Sequence, residues 1–272
     1  MSEATAIEKT PVPRTRESLA RELRQAGLAR GMTVIVHSSL SSLGWVCGGP
    51  VAVVQALMDV VTDAGTIVMP THTGDYSDPA EWQHPPVPSA WWPIIRENLP
   101  LFDPRITPTR GMGQIVEVFR TCPDAVRSDH PEVSFAAWGR NARRVTSDHA
   151  LDYSLGEQSP LARIYDLDGS VLLLGVGYDR NTSFHLAEYR APGARPVERG
   201  APIVEAQQRT WKVYPDIALE DELFAELGNE FEQTGPVTRS TIGSADARLF
   251  SQRQAVDFAV DWLAARRARI ET

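Results

Sequence analysis

Three short apolar runs have the length and composition of buried β-strands. They cover residues 33–36, 66–69 and 170–176, and the third, SVLLLGV, is apolar on both faces. Between the first two runs, Pro50 occupies a favourable position to open a helix with apolar residues at helical spacing. A strand, helix and strand in this order indicate a βαβ unit with parallel strands. We therefore expect an α/β fold with a central, mostly parallel sheet flanked by helices.

The chain has 272 residues, of which 42% are hydrophobic, and this is enough for one large domain. Thr15 can cap the first amphipathic helix, so residues 1–14 are predicted to be an N-terminal arm and residues 15–270 a single domain. Segment 70–108 is rich in proline and tryptophan, and region 200–235 includes a predicted hairpin at 201–214. We expect these two parts to form a smaller substrate-binding lobe.

Composition excludes several classes of protein. The N-terminus lacks the apolar core of a signal peptide, and no stretch approaches the ~18 apolar residues of a membrane span, so a cytoplasmic location is expected. Cys47 and Cys122 do not have metal-site spacing. The formal net charge of -8 argues against a nucleic-acid or anionic membrane partner and is compatible with a cationic ligand.

The loop after the first strand is the first candidate site. Its sequence over residues 37–49, HSSLSSLGWVCGG, is rich in serine and glycine. Open α/β sheets bind ligands at this end of their strands, where backbone N–H groups can approach phosphate or thioester oxygens. The pattern is neither a Walker A motif nor GxGxxG, and an ordinary βα loop is an equally good interpretation of it.

A histidine after the third strand is the second candidate. His185 falls in the first turn of a predicted helix, whose positive dipole end favours the neutral imidazole that a general base requires. Glu188 lies one turn later on the same face and could assist it. A capping carboxylate beside a structural histidine has the same spacing and stays an alternative.

Two weaker candidates complete the set. His130 precedes a proline in a polar turn, where a structural histidine is the commoner case. Carboxylates in the lobe could bind an oligo-amine through charge-assisted hydrogen bonds, although many such groups are only solvated surface acids. The acids concerned are Asp75, Asp78, Glu81 and Asp216.

Four blocks, in order along the chain, resemble one family. They are VHSSLSSLGWVCGG at 36–49, GTIVMPTHT at 65–73, SDHPEVSFAAWG at 128–139 and LLLGVGYDRNTSFHLAE at 172–188. The chain resembles the aminoglycoside 3-N-acetyltransferases, also called antibiotic N-acetyltransferases. The resemblance implies an α/β fold different from the common GNAT superfamily, with acetyl-CoA as co-substrate. It also implies direct acetyl transfer in a ternary complex to the 3-amino group of a 2-deoxystreptamine aminoglycoside, giving resistance.

The resemblance assigns roles to individual residues. It makes His185 the general base, with Glu188 or Asp216 stabilising its charged form, and Thr71 polarising the base or positioning the amine. The implied substrate contacts are Asp75, Asp78, Glu81, Glu188 and Asp216. The implied cofactor contacts are His37, Ser38, Ser39, Leu40, Leu43, Gly44, Trp45, Val46, Met112, Gly113, Ser128 and His130. His37 could also donate to the oxyanion.

Other functions remain open at this point. A metal-dependent hydrolase could use His72, Asp75, His130, His185 and Glu188, although their spacing matches no known ligand signature and no metal is expected. A module that only binds acyl-CoA or senses amines would need no base. An acetyltransferase acting on another amine is the third alternative.

Overall fold

The computed structural model describes residues 3–270, and within them a large mixed sheet has seven strands. Their order across the sheet is β3-β4-β2-β1-β5-β9-β8. Two further strands, β6 and β7, form a separate hairpin. The strands are β1 (Thr33–Ser38), β2 (Thr66–Pro70), β3 (Val126–Arg127), β4 (Phe135–Gly139), β5 (Ser170–Leu174), β6 (Pro196–Glu205), β7 (Gln208–Ile217), β8 (Val237–Ile242) and β9 (Ala245–Ser251).

The centre of the sheet is parallel, because β1 pairs in parallel with both β2 and β5. Strands β4 and β9 are antiparallel to their neighbours on either side, so they alone oppose the common direction of the other five strands of this sheet. The predicted α/β class with a mostly parallel sheet is confirmed. Strands β8 and β9 were not predicted, because their polar and charged residues hide the apolar alternation.

Helices cover both faces of the sheet. Thr15 and Ser18 form a capping box at the start of α2, and Pro50 lies in the first turn of α3, as predicted. Helices α1, α4, α5 and α6 were missed because each is too short for a clear periodic pattern. The helices are α1 (Glu3–Glu8), α2 (Arg16–Gln25), α3 (Gly49–Val61), α4 (Trp92–Asn98), α5 (Gln114–Phe119), α6 (Ala142–Thr146), α7 (Pro160–Asp166), α8 (Ser183–Arg190), α9 (Phe224–Thr234) and α10 (Gln252–Ile270).

Side-chain alternation along the central strands divides the core into two layers. Val34 and Val36 of β1 pack in the layer that contains α2, α3 and α5. Ile35 points the other way, into the layer that contains α7, α8, α9 and α10. Because the sheet is covered on both faces, its ligand-accessible part is the edge where strands end. Within residues 3–270, no helix is both long enough and apolar enough to cross a membrane.

Segment 70–108 leaves the sheet after β2, and the side chain of Arg127 is bonded near both of its ends. The Arg127 guanidinium donates to the backbone oxygens of Thr71 at 2.6 Å and Thr107 at 2.5 Å, near the two ends of the segment. It also lies 4.8 Å from the Phe102 ring centre. On the far side of the segment, Arg209 of β7 donates to the oxygen of Leu99. The segment and the hairpin are therefore in contact, which agrees with a common lobe.

Removing this arginine is expected to loosen the segment. Arg127→Met removes a donor from the Thr107 carbonyl and one of the two donors from the Thr71 carbonyl, and should lower the free energy of unfolding by about 1–3 kcal/mol. Limited proteolysis should then cut within residues 70–108 faster than in the wild type. The control is Arg105→Met, because Arg105 is an exposed arginine within the same segment. Equal cleavage rates for Arg127→Met and wild type would contradict the role of Arg127.

Buried His130 and half-buried His149 lie side by side, with their ring centres 4.8 Å apart. His130 accepts the backbone N–H groups of Glu132 and Val133 at Nδ1, and its Nε2 bonds the oxygen of Leu151 at 3.2 Å. His149 bonds the Ser128 hydroxyl through Nδ1 and the Ser154 oxygen through Nε2. Both nitrogens of each ring are thus satisfied inside the protein.

This pair makes stability depend on pH. Burial lowers the pKa of His130 to about 4 and that of His149 well below its usual value, whereas an unfolded histidine has a pKa of about 6.5. The unfolded chain therefore binds protons that the folded chain does not, and stability falls as pH drops below about 6.5, by up to about 1.4 kcal/mol per pH unit for each histidine. Urea unfolding between pH 7.5 and 5 measures this slope. A slope that His130→Gln does not reduce, or stability that stays flat across this range, would contradict the prediction.

Candidate active site

A cleft of about 910 Å³ opens at the carboxyl ends of the three central parallel strands. The loop after β1 forms one wall, and Gly111 to Gly113 contribute to another. The sheet topology explains this convergence, because parallel strands deliver their following loops to the same edge. Of the cofactor contacts implied by the sequence, the cleft is lined by His37, Ser38, Ser39, Leu40, Gly44, Trp45, Val46, Met112 and Gly113.

The start of helix α3 also faces this cleft. Gly48 and Gly49 both have positive φ, at 84° and 55°, and so make a tight left-handed turn that most side chains would strain. The N-cap residue of α3 is Gly48, which offers no side-chain cap to the first backbone N–H groups. Gly49 and Pro50 line the cleft. A free helix start of this kind favours a negatively charged ligand group.

His185 lies in the cleft wall with its orientation fixed by Glu188. Its Nδ1 is 2.6 Å from Glu188 Oε2, and the other oxygen of this fully buried carboxylate accepts the Glu220 backbone N–H at 2.6 Å. The Phe224 ring packs 4.8 Å from the imidazole. Since the carboxylate accepts at Nδ1, the neutral ring carries its proton there and leaves the Nε2 lone pair free. This arrangement can act as a general base.

The other two predicted catalytic groups lie outside the cleft lining. Asp216 accepts the hydroxyl of Ser154 at 2.7 Å and that of Tyr189 at 2.5 Å, so it connects the end of the hairpin to α8. Thr71 is fully buried, and its hydroxyl lies 3.0 Å from both Ser134 Oγ and Arg127 Nε. Neither side chain is hydrogen-bonded to His185. The carboxylate of Asp216 and the hydroxyl of Thr71 are bonded to other protein groups instead.

Three of the implied cofactor contacts are also placed in the interior. Leu43 belongs to the core beneath the loop and has no exposed surface. The Ser128 hydroxyl accepts the Phe135 backbone N–H at 2.9 Å, and His130 has the bonds described above. Their burial and complete bonding indicate a structural role.

The predicted substrate carboxylates surround a second, smaller cavity or lie near it. Asp75 and Glu81 line this cavity of about 280 Å³, together with Glu132. Asp75 is paired with Arg110 at 3.6 Å, and Glu81 is paired with Arg199. Asp78 instead pairs with Arg96 at 2.7 Å and does not line either cavity. The Arg110 N–H donates to the His72 oxygen at 2.9 Å, which connects a residue that lines the small cavity to one that lines the large cleft.

Sequence reasoning missed three residues of this region as ligand contacts for a transferase. His72 and Asn181 line the large cleft, and Glu132 lines the small cavity, where burial raises its pKa to about 7. Burial lowers the pKa of both His37 and His72 to about 3, so both stay neutral. The position of His72 in the sequence could have indicated this. It follows β2, and His37 lies near the end of β1 at the same edge of the sheet.

The residues named for a metal-dependent hydrolase do not assemble. His72 and His185 line the large cleft, Asp75 lines the small cavity, and His130 is bonded to backbone groups in the interior. Over residues 3–270, no group of three or more histidine, cysteine, aspartate or glutamate side chains is arranged to hold a metal ion. The described part of the chain therefore offers this alternative no ligand set.

Comparison with known proteins decides the family. The profile of the family described as "Aminoglycoside 3-N-acetyltransferase" matches residues 35–264. The chain belongs to the aminoglycoside 3-N-acetyltransferase family. The members of this family are acyltransferases, and the resemblance carried by the four sequence blocks is confirmed.

Individual members of the family are similar over almost their whole length. Aminoglycoside N(3)-acetyltransferase VII of Streptomyces paromomycinus is 37% identical, over 97% of this chain and 96% of that protein. The YokD protein of Bacillus subtilis has a solved structure with 50% identity and a TM-score of 0.96, covering 98% of this chain and 99% of that one. A structure described as AAC-IIIb binary with CoASH has 33% identity and a TM-score of 0.83, covering 94% and 98%.

In an acetyltransferase of this family, loss of the Glu188 charge should slow turnover. Glu188→Gln keeps the shape of the side chain but removes the negative charge that stabilises the imidazolium form of His185. We expect kcat to fall roughly 10²-fold, with KM for acetyl-CoA changed little. Steady-state kinetics measure this, with the exposed Glu226→Gln as the matched control. Wild-type kcat in Glu188→Gln would show that the carboxylate only packs.

Proposed function

We propose that this protein transfers the acetyl group of acetyl-CoA to the 3-amino group of a 2-deoxystreptamine aminoglycoside, with His185 as general base in a ternary complex. The observation that carries the proposal is the His185–Glu188 pair, held in the wall of a cleft large enough for an extended co-substrate. The family and the CoASH complex of AAC-IIIb support the same reaction. Transfer of an acetyl group to such an amine would inactivate the antibiotic and give resistance.

Acetyl-CoA fits the wall formed by the loop after β1. His37 Nε2, Ser38 Oγ and Asn181 Nδ2 are buried there without a partner among the described residues. Buried polar atoms are costly when unpaired, so a ligand that supplies partners is favoured. The uncapped start of α3 suits the pyrophosphate, and the apolar side chains of Val46 and Met112 suit the pantetheine arm. The remaining contacts to this arm would come from Ser39, Leu40, Gly44, Trp45 and Gly113.

The chemistry requires removal of two protons from the substrate ammonium, one before the attack and one after it. His185 Nε2 accepts the first proton while Nδ1–H continues to donate to Glu188, whose charge stabilises the imidazolium. The freed amine attacks the thioester carbonyl carbon, a C–N bond forms, and the C–S bond breaks. The leaving thiolate then takes the proton from His185, and the acylated nitrogen releases its second proton to solvent. Holding both substrates in one cleft makes the attack effectively intramolecular.

The small cavity would take the amino groups of the aminoglycoside that do not react. The cavity is lined by Asp75, Glu81 and Glu132. Two arginines form ion pairs with Asp75 and Glu81, so an incoming ammonium would either replace an arginine or bind beside it. The two cavities are neighbours, because His72 of the large cleft is bonded through its backbone to Arg110 of the small cavity. Asp78 and Asp216 instead stabilise the lobe through Arg96, Ser154 and Tyr189, whereas Thr71, Ser128 and His130 support the cleft from beneath.

Thiol release from acetyl-CoA tests the function directly. Purified enzyme should release CoA on addition of gentamicin-, kanamycin-, neomycin- or apramycin-type substrates, and mass spectrometry should find one acetyl group on the 3-amino nitrogen. His185→Ala should lower kcat by about 10²- to 10⁴-fold, with binding of CoA nearly intact by calorimetry.

Three results would contradict the proposal. Wild-type protein that binds acetyl-CoA but releases no thiol with any amine would be a binding module. Full activity in His185→Ala, or loss of CoA binding without loss of fold, would remove His185 from the role of base. Activity that chelator abolishes would favour a metal-dependent enzyme.

A further inference from the structure

His72 takes no part in the mechanism described above, although it lines the same cleft as His185. His37 lies near the end of β1, His72 follows β2 and His185 follows β5, and all three line the cleft at the carboxyl ends of these parallel strands. Charge on His37 or His185 disfavours a charge on His72. His72 therefore shares one cleft with the expected base and the expected thioester arm. A side chain in this position can contact the reacting atoms.

The position of His72 is held rigidly by its backbone. The N–H of Thr71 donates to the Ser134 oxygen at 2.8 Å and the N–H of Thr73 to the Glu132 oxygen at 2.7 Å. The oxygen of His72 itself accepts the Arg110 N–H, next to the glycine-rich wall of the cleft. Its ring meets Phe135 edge to face, with the ring centres 5.4 Å apart. Little reorganisation remains to be made when a ligand arrives.

The hydrogen bonds of His72 differ from those of the structural histidines. Both nitrogens of His130 and of His149 are bonded within the protein. In the described chain, neither nitrogen of His72 has a hydrogen bond, and its Nε2 is sealed from solvent. The buried Nε2 is costly without a partner, and the Nδ1 that is not sealed is free to bond a ligand.

The ring can offer a proton to such a ligand but cannot hold a charge. Burial lowers the pKa of His72 to about 3, and positive charge on His185 disfavours the imidazolium further. Nε2 is buried and has no acceptor nearby among the described residues, and a buried N–H without an acceptor is costly. The neutral ring therefore carries its proton on Nδ1, which is not buried in this way. His72 is thus a neutral N–H donor beside the base.

We propose that His72 is a further catalytic residue, which donates its imidazole N–H to the carbonyl oxygen of the acetyl group as that oxygen gains negative charge. The inference rests on the proposed acetyl transfer. In this step the amine nitrogen bonds to the carbonyl carbon and the C–S bond breaks, while one proton travels from the amine through His185 to the thiolate and a second leaves the acylated nitrogen for solvent. His72 keeps its own proton throughout and stabilises the oxyanion by a hydrogen bond.

His72→Phe tests the role, since it keeps an aromatic edge against Phe135 but has no donor. We expect kcat to fall about 10²- to 10³-fold, with KM for both substrates within a few-fold of wild type and an unchanged melting temperature. His72→Gln restores an N–H donor and should recover part of the loss. The pH dependence of kcat should keep its wild-type shape in both variants, because His185 remains the titrating base.

Acyl groups that differ in electron withdrawal distinguish oxyanion stabilisation by His72 from a role in packing. Chloroacetyl-CoA gives a less basic oxyanion than acetyl-CoA, which needs less stabilisation, so the deficit of His72→Phe should shrink with it. A deficit equal for both acyl groups, wild-type kcat in His72→Phe, or a raised KM for the amine with kcat intact would overturn the proposal. Wild-type enzyme that acetylates no amine is a failure of the proposed function, and the role of His72 falls with it.

Discussion

The parallel pairing of β1 with β2 and β5 determines where this protein can do chemistry. Ile35 lies opposite both Val68 and Val171 across the two ladders, so all three strands end at one edge of the sheet. Helices bury both faces, and the loops at this edge are the ones free to bind a ligand. His37, His72 and His185 reach the same cleft for this reason, although 147 residues lie between the first and the last in the sequence.

The histidines divide into groups according to how their nitrogens are bonded. His130 and His149 have complete sets of protein partners and stabilise the base of the lobe. His185 has one nitrogen bonded to a buried carboxylate and one free, which is the arrangement of a base. His37 and His72 have an unpartnered buried nitrogen each, which is the arrangement of a ligand-binding group. Similar burial thus produces different chemistry through the bonds that the surroundings supply.

The sequence predicted what local periodicity and strand ends can show. Apolar runs located β1, β2 and β5, the Thr15 cap located α2, and the position after β5 located His185 and Glu188. Contacts between residues far apart in the chain could not be predicted from these local patterns. The pairing of Asp216 with Ser154 and Tyr189, and the burial of Thr71 beneath Arg127, depend on the closure of a lobe from distant segments. The same limit hid Glu132, whose cavity is assembled from three parts of the chain.

One cleft is proposed to bring an amine, a thioester and the His185 base together. A crystal structure of the ternary complex tests this, with an aminoglycoside and a ketone analogue of acetyl-CoA that cannot react. We expect the 3-amino nitrogen about 3 Å from His185 Nε2, with the analogue's carbonyl carbon in line beside it. An amine bound away from His185, or a carbonyl outside the cleft formed by β1, β2 and β5, would show that the two substrates do not meet at this base.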